Sequence, residues 1–111
     1  LMKEHFGTRG ADLVAGLGPA IDAENFEVGE IVFTAFPQAP RLFREKPASS
    51  GKKKYTFDLK EFLRQELIAF GVPEEMVEVL PYCTVRDEAL FSSYRREKEK
   101  STRQWNVIRI L

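Results

Sequence analysis

Along this chain the apolar positions fall into short periodic runs, separated by glycine and proline. Leu1, Met2 and Phe6 lie on one helical face, because side chains four apart are neighbours. Gly7 stands where a helix C-cap glycine belongs. Asp12 to Leu17 reads as a short buried strand running into a Gly18-Pro19 turn. Val28, Ile31, Val32, Ala35 and Phe36 recur at helical spacing until Pro37 stops them. Tyr55-Thr56-Phe57 reads as a strand, and Asp58 caps the clearest helix of the chain. Asp58 and Glu61 form a variant capping box, and Leu59, Phe62, Leu63, Leu67 and Phe70 make the apolar stripe. Burying each of the five would contribute roughly 1.5–3 kcal/mol before entropy is charged. Gly71 ends that helix and Pro73 prevents its resumption.

The remaining segments read as extended. Met76 to Leu80 alternates enough for a strand, and Tyr82-Cys83-Thr84 continues or follows it. Phe91 to Arg96 is a further extended candidate, followed by a charged turn from Glu97 to Thr102. Val107 to Leu111 predicts a strand covered on both faces, with Arg109 paired or near an edge. Prolines 37, 40 and 47 and the run Ala48-Ser49-Ser50-Gly51-Lys52-Lys53-Lys54 predict a flexible loop over about 37–54. This order predicts an α+β fold, with helices layered on a mostly antiparallel or mixed sheet.

Composition narrows the function classes. The 111 residues carry 17 Lys+Arg against 17 Asp+Glu, a formal net charge of zero, which makes nucleic acid an unlikely partner. No apolar run approaches the ~18 residues of a membrane span, so no membrane partner is expected. The start of the chain lacks the apolar core of a signal peptide. A single cysteine rules out an internal disulfide framework, and one His with one Cys rules out the usual multi-ligand zinc patterns. No N-cap precedes Leu1, so the chain reads as opening inside a helix, as a fragment would.

Four groups could carry chemistry. Arg95, Arg96 and Arg103 offer donor forks that fit phosphate or carboxylate, and strands flanking a turn could aim two at one anion. Glu97, Lys98, Glu99 and Lys100 lie between them, so a merely charged hairpin tip has the same sequence. Cys83 is a nucleophile only beside a cation or base, and plain packing is the commoner fate of a free cysteine. His5 sits at a helix end, where it faces solvent or caps carbonyls. Glu27, ahead of a helix, is favoured there by the helix dipole without any function. Lys52-Lys53-Lys54 with Arg41, Arg44 and Lys46 could attract an anionic surface, but a solvated loop is the plainer reading. Ser49-Ser50-Gly51-Lys52 lacks the first glycine and the following Ser/Thr of a phosphate loop.

Three segments in order resemble the laccase-domain family, also called multicopper polyphenol oxidases, whose members are generally regarded as purine nucleoside phosphorylases. They are Leu17-Gly18-Pro19-Ala20-Ile21 with Phe26-Glu27-Val28-Gly29; Tyr55 through Asp58-Leu59 to Gly71-Val72; and Cys83-Thr84, Phe91-Ser92-Ser93-Tyr94-Arg95-Arg96 and Arg103-Gln104 before a terminal apolar strand. The resemblance runs from about Phe6 to Leu111 and places this chain as the C-terminal portion of one domain about twice as long. It implies phosphorolysis of adenosine, inosine and methylthioadenosine, and adenosine deamination, in the cytoplasm. It implies that purine nucleoside and phosphate are the ligands, and that Tyr94, Arg95, Arg96 and Arg103 line their cleft. Glu27 and Cys83 are further candidates, and no residue of this chain is assigned a catalytic role. Zinc or copper is implied for the full-length family, held by two His and one Cys in an upstream half absent here, which is the implied partner. The chain alone is then expected to be inactive.

It departs from the family pattern at Asp22-Ala23-Glu24-Asn25, where Gly-Pro-Cys-Cys is frequent, and at Ser92, where a second Phe is usual. Ser101-Thr102-Arg103 also lacks the family's glycine after a longer charged turn, which unsettles the placement of Arg103. These departures keep a non-enzymatic, partner-binding member of the same fold as the alternative. A nucleic-acid module built on Lys52 to Lys54 is the third reading, and predicts strongly salt-dependent binding.

Overall fold

A computed structural model describes residues 1–47 and 51–109. Its regular elements, in chain order, are α1 (Met2–Phe6), β1 (Ala15–Leu17), β2 (Glu27–Gly29), α2 (Glu30–Ala35), β3 (Phe43–Lys46), β4 (Lys54–Phe57), α3 (Leu59–Ala69), β5 (Val77–Val79) and α4 (Tyr94–Glu97), joined by short 3-10 turns. The fold is α+β with a mixture of parallel and antiparallel pairing, as the sequence predicts. β2, β4 and β3 form an antiparallel sheet in the order β2-β4-β3, and β1 pairs with β5 in parallel.

The antiparallel sheet carries the core. In register Phe43 faces Phe57, Glu45 faces Tyr55, and Val28 faces Tyr55. The period-two alternation of strands then puts Val28, Phe43, Tyr55 and Phe57 on one face, and all four are buried. Phe26, Val32, Phe33, Phe36, Leu42, Leu59 and Phe62 close over them. The opposite face presents Glu27, Lys46, Lys54, Arg44 and Thr56.

Local signals fix the helix ends. Asp58 accepts the Glu61 N–H at 3.1 Å, which is one half of the expected capping box. The reciprocal half is missing, because the Asp58 N–H donates to the Leu42 carbonyl and Glu61 turns to Arg64 and Gln65. Gly71 closes α3 with φ +95°, and the Val72 N–H returns to the Leu67 carbonyl at 3.1 Å. Gly7 caps α1 in the left-handed region, as its position predicts.

Several expectations are corrected. Residues 37–54 are not all loop: Pro40–Leu42 makes a 3-10 turn and Phe43–Lys46 a strand, because Phe43 stacks on Phe57. Positions 48–50 of that expected loop lie outside the described residues. The predicted helix from Val28 begins only at Glu30, and Val28 is buried from a strand instead. Asp12 belongs to a 3-10 turn held by Arg9, so β1 is shorter than expected and only half-buried. Two members of the α3 stripe, Leu63 and Phe70, stay exposed. Phe91 to Arg96 is not a strand, because Ser93 starts the short helix α4. Residues 107–109 are not in a strand, and 110–111 lie outside the described residues.

Candidate functional site

The carboxy-terminal arginines gather around α4. Ser93 is buried, and its carbonyl accepts the Arg96 and Glu97 N–H groups at 3.1 and 2.8 Å. Glu97 reaches back to the Ser93 N–H at 3.3 Å, closing the turn from both sides. This single turn sends its two arginines to different places. Arg95 lies over the Phe26 ring, 5.3 Å from its centroid, and donates to the Glu27 carbonyl at 3.1 Å. Such a stacked cation is worth about 0.5–1 kcal/mol at an exposed site. Arg95 thereby ties α4 to the start of β2 while remaining exposed.

Arg96 turns inward. Its guanidinium donates to the carbonyls of Thr84 (2.9 Å), Val85 (2.7 Å) and Phe91 (2.8 Å) and to the Glu97 carboxylate. Tyr94 is exposed, and its hydroxyl donates to Glu99 at 3.0 Å. Arg103 is exposed too, and its neighbours fix where it stands. Thr102 shares a 2.5 Å hydroxyl contact with Ser92, and Gln104 donates to the Ser92 carbonyl at 2.7 Å. The segment carrying Arg103 is thus pinned beside the residue that precedes Ser93. Tyr94 and Arg95 share α4, the Arg103 segment is pinned to Ser92 just before it, and Arg96 is set apart from both by what it binds. The expected pair of strands aiming two arginines at one anion is not what forms.

The other candidates have structural partners. The Glu27 carboxylate bridges Lys54 (2.5 Å) and Lys46 (3.0 Å), which face each other across β3 and β4. Bonds from Lys54 first and Lys46 second hold its carboxyl below the usual glutamate range. Cys83 is fully buried, and its sulfur accepts the N–H groups of Asp22 (3.3 Å) and Arg86 (3.4 Å) and the Asn25 amide (3.7 Å). That is the packing role expected of a free cysteine. His5 is exposed at the last turn of α1.

Sequence reasoning missed the network around Cys83. Asp22 pairs with both Lys60 and Arg86 at 2.6 Å, and Lys60 also donates to the Tyr82 carbonyl at 2.7 Å. Arg86 chelates Asp87, whose carboxylate also accepts the Cys83 N–H at 2.7 Å. Arg86 first and the Cys83 N–H second hold the Asp87 carboxyl below its usual range. No local signal points to this network, because Asp22 stands 38 positions from Lys60 and 64 from Arg86. A cavity of about 900 Å³ lies elsewhere, between Gly29–Val32 and Gly51–Lys54, and includes none of the carboxy-terminal arginines.

The aromatic-packed antiparallel strands and the parallel strand pair define an α+β fold, and comparison with known proteins supplies the family. The sequence model of the multi-copper polyphenol oxidoreductase laccase family matches residues 1–111, and the chain belongs to that family. A relative from Bacteroides thetaiotaomicron named purine nucleoside phosphorylase is 41% identical over 106 residues, covering 92% of this chain and 38% of the relative. The purine nucleoside phosphorylase YlmD of Geobacillus stearothermophilus is 36% identical over 86% of this chain and 35% of its own length. The crystal structure of YlmD from Geobacillus stearothermophilus superimposes with a TM-score of 0.73 at 33% identity, covering 86% of this chain and 36% of that one. That of YfiH from Bacillus licheniformis gives 0.72 at 31% identity. The chain therefore spans little more than a third of the length of these relatives.

The family name implies a metal. Among the described residues no three His, Cys, Asp or Glu side chains converge as metal ligands, and the Cys83 sulfur is engaged by N–H donors. These residues do not fit a metal centre, and no chemical step is drawn through one. No helix among the described residues is long and apolar enough to cross a membrane.

Proposed function

We propose that this chain is the carboxy-terminal portion of a cytoplasmic purine nucleoside phosphorylase, completed by an upstream portion that carries the metal ligands. The family match across residues 1–111 carries this reading, and the relatives named purine nucleoside phosphorylase give its reaction. In phosphorolysis a phosphate oxygen bonds to ribose C1′ while the C1′–N bond to the base breaks. The bonding pair leaves with the base, which takes up a proton. Positive charge builds on the sugar meanwhile, and phosphate held by fixed cations lowers that barrier.

Arg95 and Arg103, both exposed, are this chain's contribution to holding phosphate, and Tyr94, exposed on α4 next to Arg95, offers a ring and hydroxyl to the nucleoside. Adenosine, inosine and methylthioadenosine are the substrates of this reading. Adenosine deamination, which the family resemblance adds, rests on the upstream portion. Asp22 to Asn25, where the chain departs from its family, wraps Cys83 and pairs with Lys60 and Arg86. A structural role for these residues supports the enzymatic reading over the non-enzymatic one.

The test is release of purine base from adenosine by the whole protein, with and without phosphate. Phosphate-dependent release is expected, together with ribose 1-phosphate, and Arg95→Gln should raise the phosphate KM by about tenfold. The 111-residue chain alone should release no base. A whole protein that releases none overturns the proposal in favour of a partner-binding member of the fold, and one that releases base without phosphate overturns it in favour of nucleoside hydrolysis.

A further inference from the structure

A guanidinium has five N–H donors in one planar fork and no acceptor, so what it touches defines its work. Arg96 is the most heavily engaged arginine of the carboxy-terminal group. Nη1 is shared by the Thr84 and Val85 carbonyls, and Nη2 by the Phe91 carbonyl and the Glu97 carboxylate. The Glu88 carboxylate lies 3.8 Å from Nε. These partners are the two ends of one loop. Between them the Asp87 N–H returns to the Cys83 carbonyl, and the Phe91 N–H to the Asp87 carbonyl. Those bonds fold the loop but leave the carbonyls of Thr84, Val85 and Phe91 to be satisfied from elsewhere. Carbonyls removed from water need a partner, and Arg96 supplies it.

We infer that Arg96 is a positioning residue: it clamps the loop from Cys83 to Phe91 onto α4 and so fixes where Tyr94 and Arg95 stand. The inference rests on the phosphorylase reading for its kinetic consequence, but not for the clamp itself. A phosphate bound by Arg96 would have to displace three backbone carbonyls and a carboxylate, leaving the carbonyls unpaired. Arg95 has no such obstacle, since among the described residues its one protein acceptor is the Glu27 carbonyl, in an exposed contact. Two adjacent arginines of identical chemistry thus have different work, one facing the ligand and the other holding the first in place. Lysine at position 96 would keep the charge but lose the planar fork, so it would reach only some of these carbonyls.

The experiment compares R96Q, R96K and R95Q in the whole protein by hydrogen–deuterium exchange and by phosphorolysis at varied phosphate. R96Q should speed exchange across residues 84–91 by about tenfold, since the segment loses its closing bonds. It should also raise the phosphate KM, by up to the roughly tenfold of R95Q, because Arg95 is no longer held in place. R96K should recover part of both effects, whereas R95Q should raise the phosphate KM without changing exchange at 84–91. R96Q with unchanged exchange overturns the inference, and an accompanying rise in phosphate KM would make Arg96 a ligand instead. Should R96Q not fold, R96K decides alone: wild-type exchange at 84–91 overturns the clamp. Should the wild-type protein show no phosphorolysis, the functional reading falls while the exchange measurements still judge the clamp.

Discussion

The antiparallel β2-β4-β3 sheet and the parallel β1–β5 pair are built from strands of similar length and are buried very differently. The first carries four buried apolar residues and a chain of aromatic contacts, among them Phe43 on Phe57 at 4.3 Å and Phe33 on Tyr55 at 4.4 Å. The second presents Ala15, Leu17, Val77 and Val79 half-buried, with Gly16 and Glu78 exposed. Strand, helix and turn residues between Phe26 and Phe62 supply both the sheet and its cover, so that core closes locally. The parallel pair joins distant parts of the chain, with α3 packed against it. Parallel strands are normally covered on both faces, and here the described residues cover them only in part. The lesson is that stability in this chain is concentrated in one sheet.

The sharpest way to break that contrast is to empty the sheet's centre. Phe57 is 1% exposed and touches the rings of Phe26, Phe36, Phe43 and Phe62. Phe57→Ala should cost about 3–5 kcal/mol in urea unfolding. Val79→Ala in β5, half-buried, should cost about 1 kcal/mol. Equal losses at the two sites would show that the parallel pair is as well packed as the sheet.

The next effect concerns a close approach between backbones. A methyl group on Gly10 would sit 2.4 Å from the Phe70 carbonyl oxygen and 2.6 Å from the Gly71 carbonyl carbon. Neither atom can move without disturbing the end of α3, where Gly71 already holds φ +95°. Gly10→Ala should therefore cost about 1–3 kcal/mol, whereas Gly16→Ala, with open space around it, should cost far less. A neutral Gly10→Ala would mean that the segment before β1 is free to lift away from α3.

These sites also show what the sequence could and could not disclose. Asp58, Gly7 and Gly71 were legible because each cap bonds to residues within a few positions. The strand at Phe43–Lys46 was not, because Phe-Arg-Glu-Lys has one apolar residue, whose burial depends on Phe57 from another strand. The helix at Tyr94–Glu97 was hidden for the same reason, since Arg96 is drawn inward by carbonyls of a separate loop. Residue type singled out Tyr94, Arg95, Arg96 and Arg103 together, and the first three fall on α4. Residue type alone could not separate Arg95 from Arg96, because that difference lies in which backbone atoms each one meets.

A smaller effect separates the two faces of the antiparallel sheet. On its polar face Glu27 holds Lys46 and Lys54, which would otherwise oppose each other directly. The folded Glu27 carboxyl titrates below its unfolded value, so its contribution is complete above about pH 4.3 and is lost as pH falls through the lower folded value. Glu27→Gln should lower stability at neutral pH and flatten the acid limb of the stability profile in that window. Salt should weaken the wild-type advantage, because the three side chains are partly exposed. An unchanged acid limb in Glu27→Gln would mean that the aromatic face alone sets the sheet's stability.

The smallest expected effect tests strain outside both sheets. Lys98 follows α4 with φ +56° and ψ −129°, in the region that glycine tolerates and L side chains avoid, and no other described non-glycine residue has positive φ. Such a conformation costs about 1–3 kcal/mol, and glycine would relieve it while giving up about 0.5–1 kcal/mol of backbone entropy. Lys98→Gly should therefore stabilise the protein slightly, by about 0.5 kcal/mol, seen as a rise of about 2 °C in Tm. If Tm falls instead, the Lys98 backbone is held by the packing of the turn, and the strain belongs to the arrangement that pins Arg103 beside Ser92. The measurement thus separates a tolerated irregularity from one that the pinned Arg103 segment requires.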